Sequence, residues 1–427
     1  MHSSSITLRS AAALVAVFTL GSCGGSEDDG TAAVSTESEP TVTDDTVEPT
    51  STSAAPTTTM SPTTTSTTPP AVPGEEWQQL DAPFEPSETV AVGDTLWIAG
   101  RVDDLPVLAS SLDGSTWTTY DLVALGLPTQ STLNAAGSLI GQLSLGSWDG
   151  YLYALVAVPP QPGASVDDVA GDLWVVTTEG AADGVVRLIA PAESGLDQRL
   201  AGPENFRIMD LGNGIEGTPR PTFTAIGQWW QPYATSDADF AAIELGANGR
   251  WAITSEDTDD GWFESALGAQ LDGNAIAISQ TFASDQELVT WTRTEAGWQL
   301  GRVPLPAGIN RGSVDSAASA PGRIVAVGAI ATDSRSGDDR FVAWTTTDGV
   351  AWSVVELAEG TGAAYADISV AWTGQMFVAA SSDGLVWSST DGNAWAIIGD
   401  DSLRNLVGWA GRLVSVNYGL QVSPPLG

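Results

Sequence analysis

The chain has 427 residues, of which 53 are acidic and 15 are basic, so its formal net charge at pH 7 is −38. All basic residues are arginines, and this charge excludes nucleic acid and anionic lipid head groups as favoured partners. The only histidine and the only cysteine are His2 and Cys23. Residues 24–427 therefore hold no Ser-His-Asp or Cys-His catalytic system, no histidine- or cysteine-ligated metal site and no disulfide.

A secretory leader is predicted for residues 1–22. Its apolar run, AAALVAVFTL at 11–20, is too short to remain in a bilayer as a spanning helix. The following residues 20–23, LGSC, resemble the lipobox of bacterial lipoproteins. The resemblance implies cleavage before Cys23, a diacylglycerol on Cys23, and a place on the extracytoplasmic face of the cell membrane. The alternative is an ordinary secreted protein.

A disordered stalk is predicted for residues 23–76, beginning with the lipidated cysteine. Its composition is Ser, Thr, Pro, Gly and acid, as in TTTMSPTTTSTTPP at 57–70. With almost no large apolar side chains, nothing offsets the conformational entropy that ordering would cost. We expect the stalk to hold the folded part, residues 77–427, clear of the membrane.

The folded part repeats a unit of four short strands. Residues 313–357 contain SVDSAAS, IVAVGAI, RFVAWTT and AWSVVEL, separated by glycine turns or a polar loop. Similar units occupy residues 89–122, 266–305 and 366–398, and more degenerate copies occupy 133–190 and 205–254. Four strands at a spacing of about 40–55 residues predict an all-β fold, a β-propeller.

The two ends of the folded part complement each other. Residues 403–424 supply three strands of a further unit but lack the fourth, Trp-led strand, which stands instead at the N-terminal end as EEWQQLDAP, residues 75–83. An N-terminal strand that completes the last blade would leave no sheet edge open. With this composite blade the sequence predicts a ring of seven four-stranded blades.

Three phrases share one turn pattern: SSLDGSTW, TTTDGVAW and SSTDGNAW. Asp-Gly favours a tight hairpin turn, and the Ser/Thr and Asp side chains can accept hydrogen bonds from its backbone amides. The phrases resemble the Asp box (BNR-type repeat) of bacterial sialidases and other β-propellers, with one residue fewer between Asp and Trp. The resemblance implies a structural role for these turns. The residues concerned are Asp113, Gly114, Trp117, Asp348, Gly349, Trp352, Asp391, Gly392 and Trp395.

The predicted topology assigns the loops to two faces. We call the side with the turns between third and fourth strands the lower face, and the opposite side, with the loops between second and third strands and between blades, the upper face. Acidic residues of the upper face form a predicted ligand rim, which could hold a hard cation such as calcium through oxygen ligands. The rim consists of Asp103, Asp104, Asp167, Asp168, Asp237, Asp239, Asp338 and Asp339. The alternative is a set of solvated acidic loops.

An enzyme would have to use carboxylates, tyrosine and arginine. Glycoside hydrolysis needs two carboxyl groups, one with a raised pKa, and sialidases of the Asp-box class also use three arginines and a Tyr-Glu pair. No motif places such a set together here. Candidates on predicted upper loops are Arg311, Arg335, Arg340, Arg404, Tyr233 and Tyr365, and Trp229, Trp230 and Trp262 could stack on sugar rings.

The sequence therefore predicts a lipid-anchored, monomeric β-propeller that acts as a non-enzymatic binding or scaffold module. We expect its ligand to be a protein, a cell-wall glycan or a cation, and we expect no nucleic-acid partner. The competing hypothesis is a sialidase-like glycoside hydrolase that uses paired carboxylates. Assistance in assembling another membrane complex is a third possibility that no residue selects.

Overall fold

The computed structural model describes most of the chain between residues 77 and 426, all of it within the unit of residues 66–427. The described ranges are 77–103, 105–128, 143–158, 172–181, 185–196, 205–211, 224–230, 238–246, 248–256, 263–272, 274–281, 287–331, 340–358, 367–417 and 419–426. These residues are almost entirely β-structure, with one short helix, α1 (Pro191–Ser194). No helix among them is long and apolar enough to cross a membrane.

Six four-stranded antiparallel sheets are each built from consecutive strands, and we call them blades 1 to 6. The first strand of the chain, β1 (Gln78–Leu80), precedes them. Blade 1 contains β2 (Pro86–Val92), β3 (Thr95–Val102), β4 (Leu105–Ser111) and β5 (Thr118–Asp121). Blade 2 contains β6 (Leu143–Trp148), β7 (Tyr151–Val158), β8 (Asp172–Thr177) and β9 (Arg187–Ile189). Blade 3 contains β10 (Asn205–Leu211), β11 (Thr224–Trp230), β12 (Ala238–Leu245) and β13 (Trp251–Glu256).

The next three blades follow in the same order along the chain. Blade 4 contains β14 (Phe263–Leu271), β15 (Asn274–Thr281), β16 (Leu288–Thr294) and β17 (Gly297–Arg302). Blade 5 contains β18 (Arg311–Ala320), β19 (Arg323–Ala331), β20 (Arg340–Thr346) and β21 (Trp352–Ala358). Blade 6 contains β22 (Ile368–Trp372), β23 (Phe377–Ser381), β24 (Val386–Ser389) and β25 (Ala396–Gly399).

The seventh sheet is composite. It joins β26 (Val407–Trp409), β27 (Arg412–Val416) and β28 (Leu420–Val422) to β1, in the order β1-β28-β27-β26. Gln78 pairs with Val422 and Leu80 with Leu420, so the predicted union of the two ends is present. The prediction of an all-β propeller is confirmed, with blades 1 to 6 as its consecutive units, whereas the total of seven blades stays a prediction.

The second and third strands have continuous apolar sequences because both of their faces are buried. In β3, β20 and β24 neighbouring residues are buried whichever way their side chains point, because both faces of the sheet are covered. The fourth strands β5 and β25 are instead largely exposed. The alternation of a one-sided sheet is therefore replaced by a gradient from covered inner strands to a solvated outer strand.

Buried apolar side chains of the described residues form clusters between neighbouring sheets. Leu108 and Leu152 belong to the cluster between blades 1 and 2, and Phe341 and Trp387 to the cluster between blades 5 and 6. The composite sheet shares one cluster with blade 6 and another with blade 1. Each sheet thus obtains its core from its neighbours, as a radially repeated fold requires.

The seam between β1 and blade 1 depends on a few large side chains. Leu80 is buried with Leu96, Trp409 and Leu420, and the Trp409 Nε1 donates a hydrogen bond to the carbonyl oxygen of Asp94 at 2.8 Å. The short strand β1 therefore holds the seam through one buried side chain, Leu80, while its two glutamines are exposed.

Replacing Leu80 with alanine is expected to lower the free energy of unfolding by about 2–5 kcal/mol, because the variant leaves a cavity at this seam. Urea denaturation of the full chain measures the change. Gln78→Ala, at an exposed position of the same strand, is the matched control and should shift the free energy by less than about 0.5 kcal/mol. Equal effects of the two substitutions would show that β1 does not hold the ring.

Candidate functional site

Three turns of the Asp-box pattern join the third and fourth strands of blades 1, 5 and 6. In blade 5 the Thr346 hydroxyl oxygen accepts hydrogen bonds from the backbone N–H groups of Asp348 (3.3 Å) and Gly349 (2.9 Å). Asp348 Oδ1 accepts two more, from Val350 (2.8 Å) and Ala351 (2.7 Å). The same bonds recur in the turns that follow Ser111 and Ser389.

These turns also pack on the preceding blade. The Thr292 hydroxyl of blade 4 donates to the carbonyl oxygen of Gly349 (3.0 Å), and the Thr345 hydroxyl of blade 5 donates to that of Gly392 (2.7 Å). Gly349 has φ +74°, and a Cβ there would lie 2.5 Å from Ile276 Cδ1. Glycine therefore satisfies both the left-handed backbone and the close contact between blades.

The turn hydrogen bonds stabilise ionised carboxylates. The N–H groups of Val350 and Ala351 lower the pKa of Asp348 below its ordinary value, and the equivalent donors in blade 1 lower the pKa of Asp113 strongly. Partial burial raises the pKa of Asp391, but the backbone donors of Ala394 and Asn393, together with the Ser389 hydroxyl and the charge of Arg323, lower it overall. These carboxylates hold the turns of the lower face.

The tryptophans of the three phrases complete the contact between sheets. Trp352 is buried in the cluster between blades 4 and 5. Trp117 packs partly buried on the cluster between the composite sheet and blade 1, and Trp395 on the cluster between blades 5 and 6. All the contacts described for these phrases are with their own turn or with neighbouring sheets, which agrees with a structural role.

Most of the predicted acidic rim lies outside the described residues. This applies to Asp104, Asp167, Asp168, Asp237, Asp338 and Asp339. Asp103 is exposed in the turn between β3 and β4, with φ 50°. Asp239, expected in a loop, lies in β12 opposite Trp229, because β11 and β12 pair as far as Trp230 and Ala238. The rim as a ligand site stays a prediction.

The other candidate side chains are dispersed. Arg340 pairs with Glu356 of the neighbouring strand (2.6 Å), and Arg311 is the first residue of β18. Trp229 and Trp230, expected near loops, end strand β11. Arg335, Tyr233, Tyr365 and Trp262 lie outside the described residues. Arg404 precedes β26 and reaches a pocket of the upper face.

This upper-face pocket has a volume of about 430 Å³ and lies where the first strands of neighbouring sheets begin. First strands contact one another around the inside of the ring, β14 with β18, β18 with β22 and β22 with β26. Its lining residues are Leu267, Val314, Asp315, Ser316, Asp367, Ile368, Ser369, Arg404, Asn405 and Leu406. The pocket thus draws on blades 4, 5 and 6 and on the segment before the composite sheet.

Asp315 owes its position in the pocket to a β-bulge. The residues on either side of it pair with Gly328 and Val327, which leaves Asp315 as the extra residue of β18. A Cβ on Gly328 would lie 1.9 Å from the carbonyl oxygen of Ser313, so only glycine fits opposite the bulge. First strands β2, β10 and β14 carry bulges near the same place.

Asp315 is exposed to solvent at the pocket. The protein atoms that crowd its carboxyl nevertheless raise the pKa of Asp315 to about 6 by desolvation, an effect opposed by the N–H of Ile368 and increased by the charge of Asp367. Asp315 Oδ2 accepts the Ile368 N–H at 3.3 Å, and Asp367 Oδ2 lies 3.4 Å from Arg404 Nη1. Asp315 is the site residue that the sequence analysis does not identify.

No group of three or more His, Cys, Asp or Glu side chains that could hold a metal ion occurs among the described residues. In the pocket, two carboxyl groups share the lining with one guanidinium and four apolar side chains. A hard cation such as calcium, which takes six to eight oxygen ligands, has no complete set there. The calcium site of the predicted rim stays untested.

No family model and no curated protein matches the sequence. Among solved structures, Trypanosoma rangeli sialidase in complex with 2,3-difluorosialic acid is similar with a TM-score of 0.44 and 13% identity, over 76% of this chain and 57% of that one. YCF48 bound to D1 peptide is similar with a TM-score of 0.45 and 13% identity, over 83% of this chain and 96% of that one. A mutant of AofleA from Arthrobotrys oligospora is similar with a TM-score of 0.41 and 10% identity, over 82% of this chain and 90% of that one. The likeness is one of fold alone, and this chain spans little more than half the sialidase.

The Asp-box turns generate a pH prediction. Because the pKa of Asp348 in the folded chain is below its ordinary value of 3.8, its ionised form stabilises the fold above that pH, and the contribution is lost as pH falls through the folded-state pKa. Asp348→Asn should therefore lower the free energy of unfolding at pH 7, and the difference from the wild type should shrink toward pH 2.5. Denaturant titrations across this range measure it.

Glu295→Gln is the matched control, since Glu295 is exposed in the corresponding turn of blade 4 and also loses one negative charge. An identical pH profile for the two variants would mean that net charge, and not the turn, accounts for the effect.

Proposed function

We propose that the chain is a lipid-anchored protein of the cell surface whose β-propeller binds a protein, a cell-wall glycan or a cation without catalysing a reaction. The observation that carries the proposal is the upper-face pocket, in which polar and apolar side chains from several sheets converge. Concave sites of about 300–1,000 Å³ with few placed polar groups are the usual form of a binding site.

The two faces of the fold differ in what their side chains do. On the lower face, the Asp-box turns of blades 1, 5 and 6 use their polar groups to bind their own backbone and the preceding sheet. On the upper face, Asp367 and Arg404 meet only at the pocket margin, with side chains about 74% and 42% exposed. An exposed pair of this kind adds little to stability, so its place at a concavity favours recognition.

The pocket walls are held in a fixed arrangement. The Ser316 hydroxyl oxygen of β18 accepts the N–H of Val370 in β22 at 3.1 Å, next to the bond from Ile368 to Asp315. Outside the pocket lining, toward the other end of β18, Ser319 accepts the N–H of Gln270 in β14 at 2.9 Å. Because these bonds cross from one sheet to the next, the site is formed before a ligand arrives, which lowers the entropic cost of binding.

Glycoside hydrolysis is the second candidate, and the raised pKa of Asp315 beside Asp367 favours it, since a general acid needs a proton near neutral pH. The lining of the pocket counts against it: Arg404 is its one described arginine and no described tyrosine reaches it, whereas the sialidase class uses three arginines and a Tyr-Glu pair. Release of a fluorophore from an aryl glycoside by the wild type and not by Asp315→Asn would favour hydrolysis over binding.

Reversing the charge at the pocket margin should abolish ligand capture. We expect the full chain carrying Asp367→Arg, cross-linked in native membranes, to retain its partner at least tenfold less than the wild type, because two cationic side chains would then face each other at the pocket. Quantitative mass spectrometry of the captured material measures the loss.

Glu295→Arg is the matched control, because it makes the same change in charge on the lower face. Both substitutions are at exposed positions, so circular dichroism melting should give similar curves for the two proteins. Equal capture by the two variants would place the binding surface elsewhere and overturn the proposal.

The membrane anchor has its own test. Cys23→Ser should move the protein from the detergent phase to the aqueous phase of a Triton X-114 partition, because each acyl CH₂ buried in a bilayer contributes about 0.8 kcal/mol. Ser22→Ala, which keeps the acceptor thiol, should stay in the detergent phase. A Cys23→Ser protein that partitions like the wild type would refute lipidation of Cys23.

A further inference from the structure

Of the two carboxyl groups that line the upper-face pocket, only one has an arginine partner. Arg404 is directed to Asp367, at 3.4 Å, and no described arginine forms an ion pair with Asp315. The contacts described for the Asp315 carboxyl come from Ile368 and Ser313, which are uncharged. The pocket therefore carries one carboxylate that is hydrogen-bonded but has no cationic partner.

A second polar group in the wall lacks a partner. Ser369 is 8% exposed, and its buried hydroxyl has no hydrogen-bond partner in the protein. Side chains on one side of a strand alternate, so Ser369 lies on the same side of β22 as Ala371, which packs with Leu403 and Leu406. The hydroxyl is thus an unpaired donor and acceptor in the wall of the pocket.

The remaining walls are apolar. Leu267, Val314, Ile368 and Leu406 come from four different sheets or their connections. A bare metal ion would leave these walls and most of the 430 Å³ unused, and two carboxyl groups do not complete its coordination. An anion would meet a net negative lining inside a chain of net charge −38.

We propose that the upper-face pocket binds an organic cation, an ammonium or guanidinium group on an aliphatic stem, with the charge against Asp315 and the stem against Leu267 and Leu406. This inference rests on the proposed function and specifies its ligand. The cation could be a free small molecule or an Arg or Lys side chain of a bound protein, and the two sources share this chemistry.

Desolvation makes the proposed contact sensitive to pH. A carboxylate that is exposed at a pocket but partly desolvated by nearby protein atoms, as Asp315 is, interacts with an opposite charge more strongly than one in bulk water. The pKa of Asp315, raised to about 6, means that the carboxyl is mostly ionised at pH 7.5 and mostly protonated at pH 5. The other charged groups of the lining are Asp367, before β22, and Arg404, before β26, while β14 contributes the uncharged Leu267.

Isothermal titration calorimetry of the full chain tests the inference. The probes are n-butylguanidinium, Nα-acetyl-arginine methylamide and its uncharged analogue Nα-acetyl-citrulline methylamide. We expect the two cations to bind and the citrulline compound to bind at least tenfold more weakly. Tighter binding of a blocked Gly-Arg-Gly peptide than of n-butylguanidinium would identify a protein side chain as the source of the bound cation. Tighter binding of n-butylguanidinium would identify a small molecule instead.

Asp315→Asn should weaken binding of the cations at least tenfold, since the amide keeps the shape and an acceptor for the Ile368 N–H but loses the charge. Glu295→Gln, which removes one charge on the lower face, should bind as the wild type does. If Asp315→Asn does not fold, the wild type alone suffices: its affinity should fall roughly tenfold between pH 7.5 and pH 5, in proportion to the ionised fraction.

The outcomes separate this inference from the function it rests on. No binding of either cation, or equal binding of arginine and citrulline compounds, overturns the organic-cation site. If Asp367→Arg nevertheless loses its captured partner, the binding function stands with a different ligand. If capture is also unaffected by Asp367→Arg, both proposals fail together.

Discussion

The structure depends on one constraint: each four-stranded sheet must cover both of its faces with neighbouring sheets. A single repeated sheet cannot bury its own apolar faces, and here the buried clusters lie between sheets, as with Phe341 of blade 5 and Trp387 of blade 6. The ends of the series would expose apolar faces if they did not meet. Leu80 and Leu420 join them, so the short strand β1 places one buried leucine in the seam although its other two residues are exposed.

Because of this constraint, the two faces of the ring have different roles. On the lower face, a turn that protrudes from one sheet can reach the next, and at Gly349 and Gly392 it comes so close that a Cβ would lie 2.5 Å from Ile276 and Val325 respectively. On the upper face, first strands bend through bulges, and a bulge directs a side chain out of the sheet. Asp315 is such a side chain. The regular turns therefore hold neighbouring blades together, whereas the bulged first strands form the upper-face pocket.

The sequence predicted the strands and turns well because both are local. Glycine and Asp-Gly turns mark the strand ends of blade 5, and the Trp-led phrase at residue 77 predicted the pairing of β1 with β28. The pocket was not predicted, because it joins residues about 50 apart, such as Asp315 and Ile368, through inter-sheet packing. One local signal was available: Gly328 interrupts the strand IVAVGAI, and a glycine inside a strand often marks a bulge on its partner.

Charge on the surface and charge in the recess act over different ranges. The net charge of −38 attracts any cation, but at physiological ionic strength exposed charges are screened beyond about 8 Å, so this attraction concentrates ligands without selecting among them. Asp315 is exposed at the recess, and the protein atoms that crowd its carboxyl reduce the screening of its charge by water. Selection therefore depends on whether a cation carries a stem that fits beside Leu267 and Leu406. Because a hydrated inorganic ion lacks such a stem, the recess can discriminate where the surface cannot.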